Sequence, residues 1–145
     1  MPKTNLHQQI FIDALPTKVW KVLTHCDYVN QYFPEENIHS QWTEGSAIVL
    51  KQEEKEIKTL QKGKVLQVVP GVLLKYKLLE ELANNFITIT YELIPAEEGI
   101  ELKFYSEGFD DTDEDYLFRI NEARLLLQKI KWLAEESGQI SQKLG

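Results

Sequence analysis

Three consecutive segments constrain the fold more than any other feature of the chain. In "VLLKYKLL", Leu74, Tyr76 and Leu78 fall on one face and Lys75 and Lys77 on the other. "FITITYEL" repeats the pattern, with Ile87, Ile89, Tyr91 and Leu93 against Thr88, Thr90 and Glu92. "IELKFYS" sets Ile100, Leu102 and Phe104 against Glu101, Lys103 and Tyr105. A period of two with one apolar face predicts antiparallel strands that bury one side and wet the other. The connections "ELANN" and "PAEEG" are of hairpin length. The period then changes. In "YLFRINEARLLLQKIKWLAEE", Ala123, Leu127, Ile130 and Ala134 recur at helical spacing, and Leu126 and Leu133 widen the stripe. This predicts a C-terminal helix of about 20 residues, roughly 30 Å long.

Upstream, "QQIFIDALPTKVWKVLT" passes from strand to helix within a few residues. Ile10 and Ile12 alternate, whereas Val19, Val22 and Leu23 follow a helical period. Pro16 suits the first helical turn, where its missing N–H loses nothing. "DYVNQYF" reads as a second short helix stopped by Pro34, and "SAIVLKQ" and "EIKTLQKGKVLQVV" add two strands before Pro70-Gly71. The expectation is an α+β fold with an antiparallel sheet of about six strands. Such a sheet is roughly 24 Å across, while a helix is about 10–12 Å wide. One helix covers that apolar face only if the sheet curls around it and the two short helices close one end. Any space left between sheet and helix is a cavity.

A length of 145 residues suits one domain over 1–145 with a core of its own. Gly138 and little else to pack mark 136–145 as a frayed tail. The net charge of −7 argues against nucleic acid and anionic membrane surfaces as partners. The single cysteine, Cys26, excludes an internal disulfide framework. The start "MPKTNLHQQ" carries no apolar leader, and no run reaches membrane-spanning length. A cytoplasmic protein without membrane insertion is expected.

Several short pieces then carry a resemblance in their order and spacing. They are "VW..L" at Val19, Trp20 and Leu23, "QYF" at Gln31 to Phe33, and "W..G" at Trp42 and Gly45. "GKVLQVVP" from Gly63 to Pro70, "L.Y" at Leu74 and Tyr76, "ITYEL" from Ile89 to Leu93, and "GF" at Gly108 and Phe109 complete the set. From Ile10 to about Glu135 the chain resembles the START-like, Bet v 1-like (SRPBCC) superfamily. Within it, the chain resembles the branch related to the C-terminal domain of the activator of heat-shock ATPase. The resemblance implies a helix-grip fold with an internal cavity, often for a hydrophobic small molecule, and brings a link to stress response. Ser106 stands where many relatives have a histidine, and Glu122 and Ala123 where many have a tryptophan.

Candidate chemical motifs have simpler readings. Asp111, Asp113, Asp115 and Glu122 fall at calcium-loop spacing, but Tyr116 occupies the position where the sharp turn demands glycine. The acidic run reads instead as a helix start, capped by Thr112 or Asp113. His25, Cys26 and Asp27 are adjacent and show neither a base nor an orienting group for a nucleophile. His7 and His39 have no metal-ligand spacing, and the seven glycines never cluster as in a phosphate loop. No catalytic residue, metal or cofactor is expected. One of the two arginines on the last helix, Arg119 and Arg124, could anchor a ligand carboxylate inside the cavity, but pairing with Asp115 four residues earlier explains Arg119 at least as well, and a surface role is favoured.

The aromatic residues point further. Tyr32, Phe33, Trp42, Tyr76, Tyr91, Phe104 and Tyr116 fall on the inner face or at the closing loops, where core packing accounts for several of them. Buried tyrosines want partners for their hydroxyls. Tyr76 and Tyr91 on facing strands would give an apolar pocket a few polar points, the usual pattern of a small-molecule site. The expected lining is completed by Leu74, Leu78, Ile87, Ile89, Leu126 and Ile130, with a volume on the order of 300 Å³ or more. The reading is binding of a hydrophobic or amphipathic small molecule. The alternatives are an accessory module that docks on a protein partner and, last, a cyclase- or dehydratase-type enzyme. A homodimer is left open.

Overall fold

The computed structural model describes residues 4–32, 38–53, 57–80, 85–109 and 113–144. It opens with strand β1 (Thr4–Ile12), followed by helices α1 (Pro16–Thr24) and α2 (Cys26–Tyr32). Strands β2 (Ile38–His39), β3 (Ala47–Glu53), β4 (Ile57–Val69), β5 (Leu73–Glu80), β6 (Asn85–Ala96) and β7 (Gly99–Phe109) follow, and helix α3 (Asp113–Leu144) comes last. Pro16 is the first residue of α1, and the carbonyl of Leu15 just before it accepts the amides of Lys18 and Val19. Of the two proposed caps of the last helix, Thr112 lies outside the described residues and Asp113 is the first residue of α3; Phe33, at α2's predicted end, also lies outside them.

All strand pairs are antiparallel, in the order β1-β7-β6-β5-β4-β3-β2. Six consecutive strands thus form a meander, and β1 is added to its β7 edge. The sheet has seven strands rather than about six. The additional one, β2, is two residues long, too short to show a period, and Asn30 Oδ1 accepts its first amide at 2.8 Å.

The alternating segments face as expected. One row across the sheet, Val65, Tyr76, Ile89, Ser106 and Leu6, is buried throughout. Leu74, Ile87, Tyr91, Leu102 and Phe104 are buried on the same face, while Lys75, Lys77, Thr88, Thr90 and Lys103 remain partly exposed on the other. Helix α3 is 32 residues long, beyond the expected 20 or so, and continues past Gly138.

The closest backbone neighbours of helix α3 are β1, α1 and α2. Three hydrogen bonds hold it against β1. Gln8 Nε2 donates to the Ile120 carbonyl at 2.9 Å, Lys131 Nζ to the Phe11 carbonyl at 2.8 Å, and the Asp13 amide to Glu135 Oε2 at 2.7 Å. On this side Ile12, Ile100, Leu102, Leu127, Ile130 and Leu133 belong to the dry core, together with Val19, Val22 and Leu23 of α1. Over the inner faces of β5 and β6 the helix stands farther from the sheet, and a space remains between them.

Candidate functional site

Between this part of the sheet and α3 lies a cavity of about 700 Å³, open to solvent on one side. Tyr76, Leu78, Ile87, Ile89, Tyr91 and Phe104 form its floor on β5, β6 and β7. Leu126 and Ala123 of α3 form the facing wall, and Tyr32 of α2 and Ile38 of β2 close one end. Phe118 and Leu125 border it while remaining 65% and 49% exposed, which places them at its mouth. A mostly apolar concavity with few polar points is the usual form of a small-molecule site.

Eight of the thirteen residues expected from the sequence line this space: Tyr32, Tyr76, Leu78, Ile87, Ile89, Tyr91, Phe104 and Leu126. Leu74 and Ile130 lie in the packed core instead, and Tyr116 packs half-buried against it. Phe33 lies outside the described residues. Trp42 stands behind the lining, its ring 5.7 Å from that of Tyr76 in an edge-on contact. Tyr76 continues to Tyr91 at 6.3 Å, and Tyr91 to Phe104 at 5.4 Å, so an aromatic chain crosses β5, β6 and β7. Tilted and edge-on pairs at these distances are favourable and fix ring orientation. Trp42 reaches this chain from a turn in which its φ is 54°, a left-handed conformation uncommon for a bulky residue. Ser40 Oγ accepts the Trp42 amide at 3.1 Å, and Ser46 Oγ donates to the Thr43 carbonyl at 2.6 Å, which holds the turn.

The tyrosine hydroxyls differ in how they are satisfied. Tyr32 donates to the Leu23 carbonyl at 2.8 Å. The Tyr91 hydroxyl is buried with no hydrogen-bond partner among the described residues. The hydroxyls of Tyr76 and Tyr91 approach each other closely enough to interact as weak hydrogen-bond partners, although the contact falls short of a full hydrogen bond. Burial is the main cause that raises the pKa of all three tyrosines, because the charged phenolate loses its water. Against that rise the contact lowers the pKa of Tyr76, while for Tyr91 the neighbouring Tyr76 and Tyr32 add to it.

Among the described residues, the sequence reading missed two buried polar residues on the lining. Inner-face positions were expected to be apolar or tyrosine, but Lys62 and Ser106 are both buried and both border the cavity. Ser106 was within reach of the period-two pattern, since it follows Leu102 and Phe104 by steps of two. Lys62 was not, because the strand there departs from that period. Arg119 borders the cavity, while Arg124 donates to Asn121 Oδ1 at 2.6 Å on the exposed side of α3. Among the described residues, no three His, Cys, Asp or Glu side chains come together as a metal site. No helix is long and apolar enough to cross a membrane.

Comparison with known proteins adds to this geometry. Residues 13–135 match the family described as Activator of Hsp90 ATPase homolog 1-like protein. A solution structure of a Cytophaga hutchinsonii protein shares the fold with a TM-score of 0.76 at 22% identity, covering 96% of this chain and 99% of that one. A crystal structure of a Mesorhizobium loti protein gives 0.75 at 18% identity, covering 92% and 98%. The solution structure of the Aha1 dimer from Colwellia psychrerythraea gives 0.67 at 19% identity, covering 91% and 97%. No curated protein matches the sequence.

Proposed function

The chain belongs to the family of Activator of Hsp90 ATPase homolog 1-like proteins, and from that premise we propose that it binds a hydrophobic or amphipathic small molecule in the cavity beneath α3. The observation that carries this reading is a cavity of about 700 Å³ with a mostly apolar lining. Apolar burial supplies affinity, and a few polar groups on the lining orient the ligand. The single cysteine and acidic charge fit a cytoplasmic setting.

The test uses a neutral, environment-sensitive dye such as Nile red. Fluorescence should rise on the native protein, and Ile89→Trp, which fills the cavity from its floor, should abolish the rise while the far-UV spectrum stays unchanged. No dye binding to the native state sinks the proposal.

A second reading, an accessory module that docks on a protein, has its own support. Phe118, Leu125 and Trp132 are 65%, 49% and 54% exposed and recur every seventh residue, which puts them in one stripe along α3. The family's description suggests a chaperone ATPase as the occupant, and the dimeric relative from Colwellia psychrerythraea suggests a second copy. Sedimentation of the native chain and of Leu125→Glu separates these: a dimer lost in the variant favours the second copy.

A further inference from the structure

Strand β7 turns Ile100, Leu102 and Phe104 to the inner face, and the next inward position is Ser106. Across the sheet it stands between Ile89 of β6 and Leu6 of β1, both buried. An apolar side chain suits such a position best. Ser106 is nevertheless only 7% exposed there and borders the cavity, and its hydroxyl has no hydrogen-bond partner among the described residues. The other polar groups on the lining are occupied or lie at the surface. Tyr32 donates to the Leu23 carbonyl, and Gln31 Nε2 donates to the Asp27 carbonyl at 2.7 Å. Tyr76 and Tyr91 share their weak contact with each other. Lys62 and Arg119 each already interact within the chain, and Glu122 and Lys129 are exposed on α3. Among the described lining residues, Ser106 is the buried polar one with neither kind of contact.

A serine hydroxyl is uncharged and both donates and accepts a hydrogen bond. Through the open side of the cavity, water can serve it in the free protein. A ligand that fills the cavity displaces that water and loses affinity unless it replaces the hydrogen bond. A wholly apolar ligand therefore leaves Ser106 buried and unpaired. An ionised head gives up its own water and meets no buried cation that is not already engaged. A neutral group able to make one hydrogen bond avoids both losses.

Taking the cavity as a ligand site, we propose that Ser106 selects its ligand: an uncharged, mostly apolar molecule with one hydroxyl or carbonyl group, which bonds to Ser106 Oγ while the body lies against Ile87, Ile89 and Leu126. This rests on the ligand-binding reading above and adds the class of ligand and the residue that reads it. A site built around a hydroxyl discriminates against the analogue that cannot pair with it, because the protein's own polar group is then stranded.

A matched pyrene series, titrated at neutral pH by its own fluorescence, tests this: hydroxypyrene, acetylpyrene, methylpyrene and pyrene carboxylate, substituted at the same carbon. Each probe leaves water at the same cost whichever protein it enters, so the informative quantity is how the ratio of dissociation constants changes between the wild-type chain and Ser106→Ala. That substitution removes one oxygen and adds no bulk. It should shift the balance from the hydroxyl or acetyl probe toward methylpyrene by about three- to tenfold, the worth of one net hydrogen bond. The hydroxyl and acetyl members distinguish a ligand that donates from one that only accepts. In the wild-type chain, pyrene carboxylate should bind more weakly than the better of these two. Ratios that stay unchanged for both neutral polar probes overturn the role of Ser106. Tightest binding of the carboxylate to the wild-type chain overturns the uncharged class while the ligand site stands, and that result needs no variant to fold. Failure of all four probes and of Nile red removes the ligand site itself.

Discussion

On the β1 side of the sheet, Ile12, Leu102, Leu127 and Ile130 are buried to within 2% of completely, and hydrogen bonds from Gln8, Asp13 and Lys131 lock α3 to the strand. On the β4 to β6 side, the same inner face meets a cavity lined by Tyr76, Ile89, Tyr91 and Lys62. Both sides carry the same period-two pattern, so the pattern cannot be what separates them. The separation comes from where the helix rests. One helix can be close-packed against only part of a seven-stranded sheet, and backbone carbonyls of β1 and α3 fix which part. The packed side holds the fold together, and the other side is free to hold polar atoms and empty space.

The largest effect that can break this comparison is a pair of truncations. Ile130→Ala opens a void in a close-packed region and should cost about 4 kcal/mol in urea unfolding, transfer and cavity terms together. Ile89→Ala enlarges a space that already exists, so only the transfer of about three carbons is lost, about 2 kcal/mol. Equal losses would mean that the two sides pack alike.

A smaller effect comes from alkali. Tyr32, Tyr76 and Tyr91 have raised pKa values through burial. Below about pH 10 the folded and unfolded chains both keep these protons, so the tyrosines leave stability flat. Above it, the unfolded chain releases them and the folded chain holds them. Stability should then fall by about 1.4 kcal/mol per pH unit for each such tyrosine, up to its raised folded pKa. Ultraviolet titration of the native protein checks the premise. All six of the chain's tyrosines ionising near pH 10 without unfolding would show that the cavity side is wet rather than enclosed.

The smallest effect contrasts two hydroxyls. Tyr32→Phe removes the donor to the Leu23 carbonyl and should destabilise by about 1 kcal/mol. Tyr91→Phe removes a hydroxyl without a partner among the described residues, and should leave the unliganded protein unchanged or slightly more stable. A larger loss for Tyr91 than for Tyr32 would show that Tyr91 is satisfied in the free protein.

The division between the two sides also marks what the sequence could convey. Period two identified the strands and their faces, and the helical period identified α3, because these signals lie within a few residues of each other. Strand β2, at two residues, is too short to carry a period. The rest of α3's placement depends on hydrogen bonds between residues more than a hundred positions apart, such as Gln8 and Ile120, which no local pattern encodes. Lys62 escaped because a β-bulge in β4 breaks the alternation on which the reading relied. The one local hint was a glycine inside a strand, at Gly63, which often signals a bulge or a close backbone approach. Of the candidate lining, Leu74 and Ile130 were misplaced for the same reason: facing inward is readable, but facing space rather than side chains is not.

Strand β1 has consequences for the order in which the chain is made. Its only sheet partner is β7, which begins about 90 residues later. At a translation rate of roughly 5–20 residues per second, β1 waits on the order of 5–20 s for that partner, whereas hairpins close in microseconds. The meander from β3 to β6 can therefore assemble on the ribosome while Ile10, Phe11 and Ile12 have no edge to join. The segment that anchors α3 in the finished molecule is thus synthesised well before its strand partner and is among the last to find its place.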